Sequence, residues 1–218
     1  MAKYFRYFNK INYSVNDSYY DTVTNIMNRF TLEEQFKDNV VVYYKYSIKD
    51  GETPEQLAKR FYGESERHWI ILIMNNVVDP LYDWPLSHRS FLKYVEKKYS
   101  TSEYANTANT NISGTVWARS NIHSYYKTIE TTFNNYGSSK TLVIDSNTYD
   151  DLITGETQVD PELSDGNTIV KNTSKFSKTY YDYEYEVNEN KRSIKILKKE
   201  FVRPLMEEFM VLTNNKIL

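Results

Sequence analysis

The chain has 218 residues and a formal net charge of −2, which suits one large domain or two small ones. The near-neutral charge excludes the overall basic field typical of nucleic-acid-binding proteins, and the absence of cysteine excludes disulfides and cysteine-based metal or redox sites. No apolar run is long enough to cross a bilayer, and the N-terminus lacks the apolar segment of a secretory signal, so we expect a soluble protein made in the cytoplasm.

The first 39 residues are predicted to form an N-terminal arm that is rich in aromatic side chains. Four of these crowd its start without helical spacing, and they could either pack on the chain's own core or dock on a partner. They are Tyr4, Phe5, Tyr7 and Phe8. Farther along, apolar residues between positions 23 and 30 recur at the spacing of one helix face, which predicts a helix there.

Residues 40–99 carry the clearest local signals. Residues 40–48 are β-branched and aromatic, which is typical of a strand, and the Asp-Gly pair at 50–51 predicts a turn after it. Residues 53–56 combine an N-cap threonine, a proline at the first helical position and a capping-box glutamine. They therefore predict the start of a helix, and Gly63 stands where that helix would end.

A second helix, a loop and a third helix are predicted next. The helix at residues 66–75 is apolar on nearly all sides, so it needs cover from more than one direction. Pro80 and Pro85 hold their preceding residues extended, which predicts a stiff aromatic loop over residues 77–86. The third helix is predicted over residues 87–99.

Beyond residue 100 the composition changes. Residues 100–113 are rich in Ser, Thr and Asn and predict a linker, whereas the acidic residues 145–166 predict a mobile loop. Residues 181–187 alternate at period two and predict a hairpin with a strand at 191–198, after which the chain ends in a helix. Further short strands are predicted at residues 116–119, 123–132 and 140–144.

The order of strand, Asp-Gly turn, capped helix and second helix in residues 46–76 resembles the LysM module. The run from Trp69 to Asn76, followed by Asp-Pro-Leu-Tyr-Asp-Trp-Pro at 79–85, resembles the LysM-like baseplate wedge protein of T-even-type, contractile-tail myophages. Residues 4–13 and 188–197 are similar to the ends of that family's members. Roughly residues 100–180 match the family poorly.

The resemblance implies an α+β fold, with a LysM-like βααβ module, a β-rich insertion, an aromatic N-terminal arm and a C-terminal helix. A module of this kind needs a second strand after its helices, and residues 77–99 contain none. We therefore predict that a strand beyond the insertion closes the module, with Ile194 and Ile196 close to Tyr46 and Ile48. The predicted divisions are an arm at 1–39, the module at 40–99, the insertion at 100–190, and the closing strand and helix at 191–218.

The same resemblance implies a non-enzymatic structural subunit of the virion's tail baseplate, assembled in the host cytoplasm. The subunit would tie neighbouring wedges to one another around the central hub. The implied partners are other wedge subunits, the sheath-initiating baseplate protein with a lysozyme-like fold, and the central hub. Nucleic acid and membrane are not expected partners.

Aromatic residues on the arm, the second helix and the proline-containing loop are the candidates for a protein interface. Core packing is the favoured role for Trp69, because it lies in a helix, whereas core and interface both stay open for Tyr82 and Trp84. The predicted interface set is Tyr4, Phe5, Tyr7, Phe8, Trp69, Tyr82, Asp83, Trp84 and Pro85.

The alternative function is glycan binding, because LysM modules commonly bind N-acetylglucosamine polymers. The loop after the first strand and the loop after the second helix would form the site. The bulky extension at residues 82–85 and the single module both favour protein contact, since single modules bind glycans weakly. The alternative glycan site comprises Asp50, Gly51, Glu52, Thr53, Asn76, Asp79 and Pro80.

No residues predict catalysis. His68, His88 and His123 lack the mutual spacing of metal ligands, and the acidic stretch lacks the alternating ligands of a calcium loop. The chain has only 6 glycines and no glycine-rich phosphate loop. We therefore predict no enzyme activity, no metal and no cofactor.

Overall fold

The computed structural model describes residues 4–14, 19–27, 30–100, 112–133, 136–159 and 169–214. Helices and strands are mixed along the chain, which confirms the predicted α+β class. The chain divides into two compact units. Unit 1 consists of residues 1–88 and 188–218, and unit 2 consists of residues 89–187.

The first half of the chain contains mostly short elements. They are a 3₁₀ turn at Tyr4–Tyr7, β1 (Lys10–Tyr13), β2 (Asp21–Thr24), α1 (Glu34–Asp38), β3 (Tyr43–Ser47), α2 (Pro54–Tyr62), a 3₁₀ turn at Ser65–Arg67, α3 (His68–Met74) and α4 (His88–Tyr99). The second half contains the longer strands. Its elements are α5 (Gly114–Ser120), β4 (Ile122–Phe133), β5 (Tyr136–Ile144), α6 (Ser146–Asp151), β6 (Gly155–Val159), β7 (Ile169–Thr179), α7 (Tyr180–Asn190), β8 (Ser193–Leu197) and α8 (Lys199–Asn214).

In unit 1, two strands far apart in sequence form one small antiparallel sheet. Tyr46 of β3 lies opposite Ile194 of β8, which confirms the predicted pairing of the closing strand with the first strand. The side-chain amide of Asn75 closes the outer edge of β8, since it accepts a hydrogen bond from Lys195 N at 2.7 Å and donates one to Lys195 O at 2.8 Å. The end of α3 is thereby fastened to the sheet.

The predicted helices around this sheet are confirmed. Thr53 caps α2 through a complete capping box with Gln56, and Gly63 ends the helix in the left-handed conformation with a φ of 80°. A helix is also confirmed after Ser65, although its first turn is a 3₁₀ turn. Four residues of α3 are buried, as its apolar sequence predicted: Trp69, Ile70, Ile71 and Met74.

An aromatic cluster around Phe209 of α8 forms the centre of the unit 1 core. Phe209 is 0% exposed, and its ring centroid lies 4.8 Å from that of Trp69 and 5.3 Å from that of Tyr4. Phe8 is buried in the same cluster. The start of the N-terminal arm therefore packs on the chain's own core, the first of the two alternatives left open for it.

Unit 2 contains a four-stranded antiparallel sheet with the strand order β5-β4-β7-β6. The strand predictions at residues 123–132 and 140–144 are confirmed within β4 and β5. The buried apolar side chains of unit 2 lie on helices instead, on α4 and α5. They are Phe91, Val95, Tyr99 and Ala118.

Two predicted elements near the N-terminus and the centre are wrong. The described residues 23–27 do not form a helix, because Val23 pairs with Ile11 in the β1–β2 hairpin and the residues after it turn. Residues 116–119 belong to a helix, not a strand. The Glu96 carboxylate accepts hydrogen bonds from the backbone N–H groups of Gly114 and Thr115 and so holds the first turn of α5.

The predicted hairpin at residues 181–198 is also wrong in its first half, which is α7. Thr179 caps this helix by accepting a hydrogen bond from Asp182 N at 3.1 Å, and its own hydroxyl donates to the Asp182 carboxylate at 2.7 Å. Tyr181 and Tyr185 lie one helical turn apart and both contact the ring of Phe91. Alternating tyrosines fit a strand locally, but packing on Phe91 favours the helix.

The acidic loop predicted at residues 145–166 is partly wrong. Asp145 caps α6 by accepting a hydrogen bond from Thr148 N at 2.9 Å, and residues 155–159 pair with β7 as β6. Residues 160–166 of that prediction, and most of the predicted linker at 100–113, lie outside the described residues.

Candidate interface site

The loop between α3 and α4, residues 77–87, is the candidate functional site and is called the proline loop below. Its first half is held by carboxylates that accept backbone hydrogen bonds. Asp83 accepts from Asp79 N and Val78 N, both at 3.0 Å, and these bonds lower the pKa of Asp83. Asp79 in turn accepts from Leu81 N at 2.9 Å. The turn is therefore rigid for reasons internal to the loop.

The second half of the proline loop is anchored in unit 1 by its hydrophobic residues. Trp84 is only 7% exposed, and its indole N–H donates a hydrogen bond to Glu52 O at 2.8 Å. Pro85 is buried, and Leu86 N donates to the Asn188 side chain at 2.7 Å. Of the two roles left open for Trp84, the structure supports core packing, because burial and a satisfied N–H leave no accessible anchor.

The tip of the proline loop points apolar side chains into solvent. Leu81 is 79% exposed and Tyr82 is 71% exposed, although the backbone on both sides of them is fixed. The Lys191 ammonium group donates to Tyr82 O at 2.5 Å, which adds a further restraint. A rigid loop that displays exposed apolar side chains is typical of an interface anchor, because little conformational freedom remains to be lost on binding.

The other predicted interface residues divide between core and surface. Phe8 and Trp69 are buried, and Tyr4 and Tyr7 are half-buried against the Phe209 cluster. Phe5 is 45% exposed. Within the predicted set, Phe5 and Tyr82 are thus the aromatic residues that a partner can reach most easily.

The first predicted glycan loop is occupied by interactions within unit 1. The Glu52 carboxylate accepts hydrogen bonds from Lys49 N at 2.9 Å and from Tyr46 Oη at 2.8 Å. Asp50 accepts from His88 N at 2.9 Å. The turn that these bonds hold includes Gly51, whose φ is 76°, and Thr53 is the cap of α2.

The second glycan loop is likewise engaged. Asn76, in the left-handed conformation with a φ of 55°, accepts a hydrogen bond at 2.7 Å from the buried ammonium group of Lys37. Pro80 is exposed at the turn of the proline loop. A cavity of about 350 Å³ lies beside Asn76 and Lys191, but none of its lining residues comes from the first loop. The two loops do not meet in one groove there.

Two exposed residues of the proline loop, Leu81 and Val78, were not among the predicted interface residues. Val78 is 65% exposed. The available signal was an apolar residue directly after Pro80, between the turn-forming carboxylates Asp79 and Asp83. A cavity of about 540 Å³ along α8 was also missed, and it is lined by Tyr4, Trp69 and Met206 among others. That cavity arises from tertiary packing of the arm on α8, and no local pattern marks it.

Within the described ranges, no three histidine, aspartate or glutamate side chains come together in a way that could hold a metal ion. Nor does that part of the chain contain a helix that is both long and apolar enough to cross a membrane.

Comparison with known proteins points to one assembly. A family model described as base plate wedge protein 53 matches residues 3–212. The baseplate wedge protein gp53 of Enterobacteria phage T4 is 35% identical over 54 residues, which cover 25% of this chain and 28% of that relative. The matched part therefore spans less than a third of the relative's length.

Proposed function

Because the chain belongs to the base plate wedge protein 53 family, we propose that it links neighbouring wedges around the central hub of a phage tail baseplate. A structural role in the tail baseplate of the virion follows from the family itself. The proposed partners are other wedge subunits, the sheath-initiating baseplate protein with a lysozyme-like fold, and the hub.

We also propose that residues 40–76 and β8 form a LysM-like βααβ module that works as a scaffold for protein contacts. Antiparallel pairing of β3 with β8, and the Asn75 bridge from α3 to β8, support that arrangement. Glycan binding is not proposed, since the polar groups of both candidate loops already serve the fold.

The proline loop carries the proposal. Its exposed Leu81 and Tyr82 stand on a backbone held by Asp79, Asp83 and Trp84. Aromatic and aliphatic side chains presented in this way bury apolar area without first having to be ordered. We propose that this loop inserts into an apolar pocket on a neighbouring wedge subunit, with Phe5 of the arm as a second contact.

A double substitution, Leu81→Ser with Tyr82→Ala, tests this function. The isolated protein should keep its free energy of unfolding within about 0.5 kcal/mol, because both side chains are exposed. Joining of wedges into baseplates should fall about tenfold or more. Sedimentation of lysates from cells that express the baseplate genes measures this loss.

The matched control replaces an exposed apolar pair elsewhere in unit 1, with Val41→Ser and Tyr44→Ala, which are 64% and 54% exposed. Baseplate yield should stay near that of the unsubstituted protein. Normal assembly with the Leu81 and Tyr82 substitutions, or an equal loss with the control pair, would refute the role of the proline loop.

A further inference from the structure

Within the part of the chain that the structure describes, the sheet of unit 2 has no fully buried face. Among the described side chains of β4, β5, β6 and β7, none is buried, and eight of the nine residues of β5 are exposed. Sheets in stable domains normally bury at least one face against another layer. This sheet therefore has surface to offer a partner.

The strand register places four lysines on one face of the sheet. Lys127 of β4 lies directly opposite Lys175 of β7, and Lys140 and Lys171 lie opposite Ile129 and Thr131 of β4. Because side chains alternate along a strand, residues 127, 129 and 131 share a face, and so do their partners. We call this the lysine face, comprising Lys127, Lys140, Lys171 and Lys175.

The opposite face has the opposite character. Glu130 of β4 and Glu156 of β6 both lie in register with Asn172 of β7, so both carboxylates belong to that face. Its lysine, Lys178, is paired with Glu186. Charge is therefore segregated between the two faces of one sheet.

One of the four lysines, Lys175, interacts with another residue of unit 2. α6 rests on one end of the lysine face, where the Lys175 ammonium group donates to Tyr149 O at 2.7 Å and lies over the Tyr149 ring. In the described part of the chain, no carboxylate forms an ion pair with the other three. Those are Lys127, Lys140 and Lys171.

This pattern is unfavourable for a sheet that stays in water. Like charges directly across a strand pair, as in Lys127 and Lys175, destabilise the sheet, whereas opposite charges would stabilise it. Carboxylates of a partner that lies on the face would attract both lysines and so offset this repulsion. The arrangement therefore favours a bound state over a free one.

We propose that the lysine face docks on an acidic protein surface of another baseplate subunit, an inference that rests on the proposed function. Ile129 and Leu142, which is 36% exposed, lie between the lysines. Apolar side chains among the cations suit a protein interface, whereas a nucleic-acid surface would favour an unbroken basic stripe with arginine. The face contains no arginine.

The test reverses the three unpaired charges in the full chain, with Lys127→Glu, Lys140→Glu and Lys171→Glu. The Tm of the isolated protein should change by less than about 3 °C, because these lysines form no ion pair with any carboxylate of the described residues. Incorporation into baseplates should fall about tenfold or more. Second-site suppressors that restore assembly should replace Asp or Glu by Lys or Arg in another tail subunit.

Three exposed lysines outside the four-stranded sheet of unit 2 provide the matched control, with Lys45→Glu, Lys49→Glu and Lys93→Glu. This variant carries the same net charge and should assemble normally. A second variant with glutamine at positions 127, 140 and 171 should show a smaller loss of assembly. If the glutamate variant fails to fold, the assembly of this glutamine variant tests the inference in its place.

Several results would overturn the inference. Normal assembly of the glutamate variant would do so, as would an equal loss of assembly with the control, or normal assembly of the glutamine variant where the glutamate variant does not fold. Binding of a labelled 20-base-pair DNA duplex at about 0.15 M NaCl, lost in the glutamate variant, would assign the face to nucleic acid instead. If the Leu81 and Tyr82 substitutions block assembly while these do not, only the lysine face is wrong.

Discussion

Unit 1 and unit 2 are stabilised in different ways. Unit 1 surrounds Phe209 with aromatic and aliphatic side chains drawn from the arm, both strands of the small sheet and four helices. Unit 2 buries apolar side chains along its helices, and no described side chain of its sheet strands is fully buried. The comparison shows that unit 1 is built around one aromatic core, whereas the sheet of unit 2 is the surface that we propose for docking.

Unit 2 also contains two carboxylates that each accept several hydrogen bonds. The buried Glu184 carboxylate of unit 2 accepts hydrogen bonds from Tyr99 Oη at 2.8 Å and from Lys98 Nζ at 2.5 Å. Glu96 accepts from Ser113 Oγ at 2.6 Å and Thr115 N at 2.9 Å. These hydrogen bonds are made within unit 2, and those that Glu96 accepts lower its pKa to about 2, which should make the stability of unit 2 sensitive to acid.

The largest predicted effect is in the core of unit 1. Phe209→Ala should lower the free energy of unfolding by about 3–5 kcal/mol, because it removes a fully buried ring from the centre of the aromatic cluster. Urea denaturation followed by tryptophan fluorescence measures the loss. Phe209→Leu should lower the free energy of unfolding by less, because leucine fills part of the space of the ring. Equal decreases for the two variants would show that the volume left empty does not determine the loss.

A somewhat smaller effect is predicted for the buried carboxylate of unit 2. Glu184→Ala should lower the free energy of unfolding by about 2–3 kcal/mol, since the hydroxyl of Tyr99 loses its acceptor and Lys98 loses its ion pair. Hydrogen exchange resolved by peptide should place the loss in unit 2. Faster exchange throughout unit 1 as well would show that the two units unfold together.

The pH dependence of unit 2 should come largely from Glu96. Hydrogen bonds from Ser113 Oγ and from Thr115 lower the pKa of Glu96 to about 2, from an ordinary value of 4.5. A lowered folded-state pKa adds stability above the ordinary pKa, and this stability is lost as pH falls from about 4.5 to about 2.

Glu96→Gln should therefore lower the free energy of unfolding at pH 7 by about 1–2 kcal/mol, after discounting for solvent screening. It should also flatten the decline between about pH 5 and pH 2, which urea titrations at stepped pH can measure. An unchanged decline in the Glu96→Gln protein would assign the acid sensitivity to other carboxylates.

The smallest predicted effect is at the cap of α2 in unit 1. Thr53→Ala should lower the free energy of unfolding by about 1 kcal/mol, because it breaks the capping box with Gln56. Thr53→Ser keeps the hydroxyl and should restore most of the loss. A loss of similar size in both variants would mean that the hydroxyl does not stabilise the helix.

Local chemistry allowed the sequence alone to determine much of unit 1. Thr53, Pro54 and Gln56 marked the start of α2, and Gly63 marked its end, because caps depend on neighbours within one turn. The β-branched pattern of β8 and the missing strand of the module predicted its pairing with β3. Pro80 and Pro85 marked the loop, because proline restricts the backbone whatever its surroundings.

Only the tertiary structure decided which loop residues face solvent and how unit 2 folds. The sequence does not distinguish Trp84 from Tyr82, because both lie in the same stiff loop. The difference arises in the tertiary structure, where the indole N–H of Trp84 donates a hydrogen bond to Glu52 O. The sequence favours a strand at residues 116–119, but the helix α5 forms there. The Glu96 carboxylate accepts a hydrogen bond from Gly114 N, 18 residues later in the chain, and so holds the first turn of α5. Such contacts join groups distant in sequence, and long-range packing outweighs the small local preferences for helix or strand.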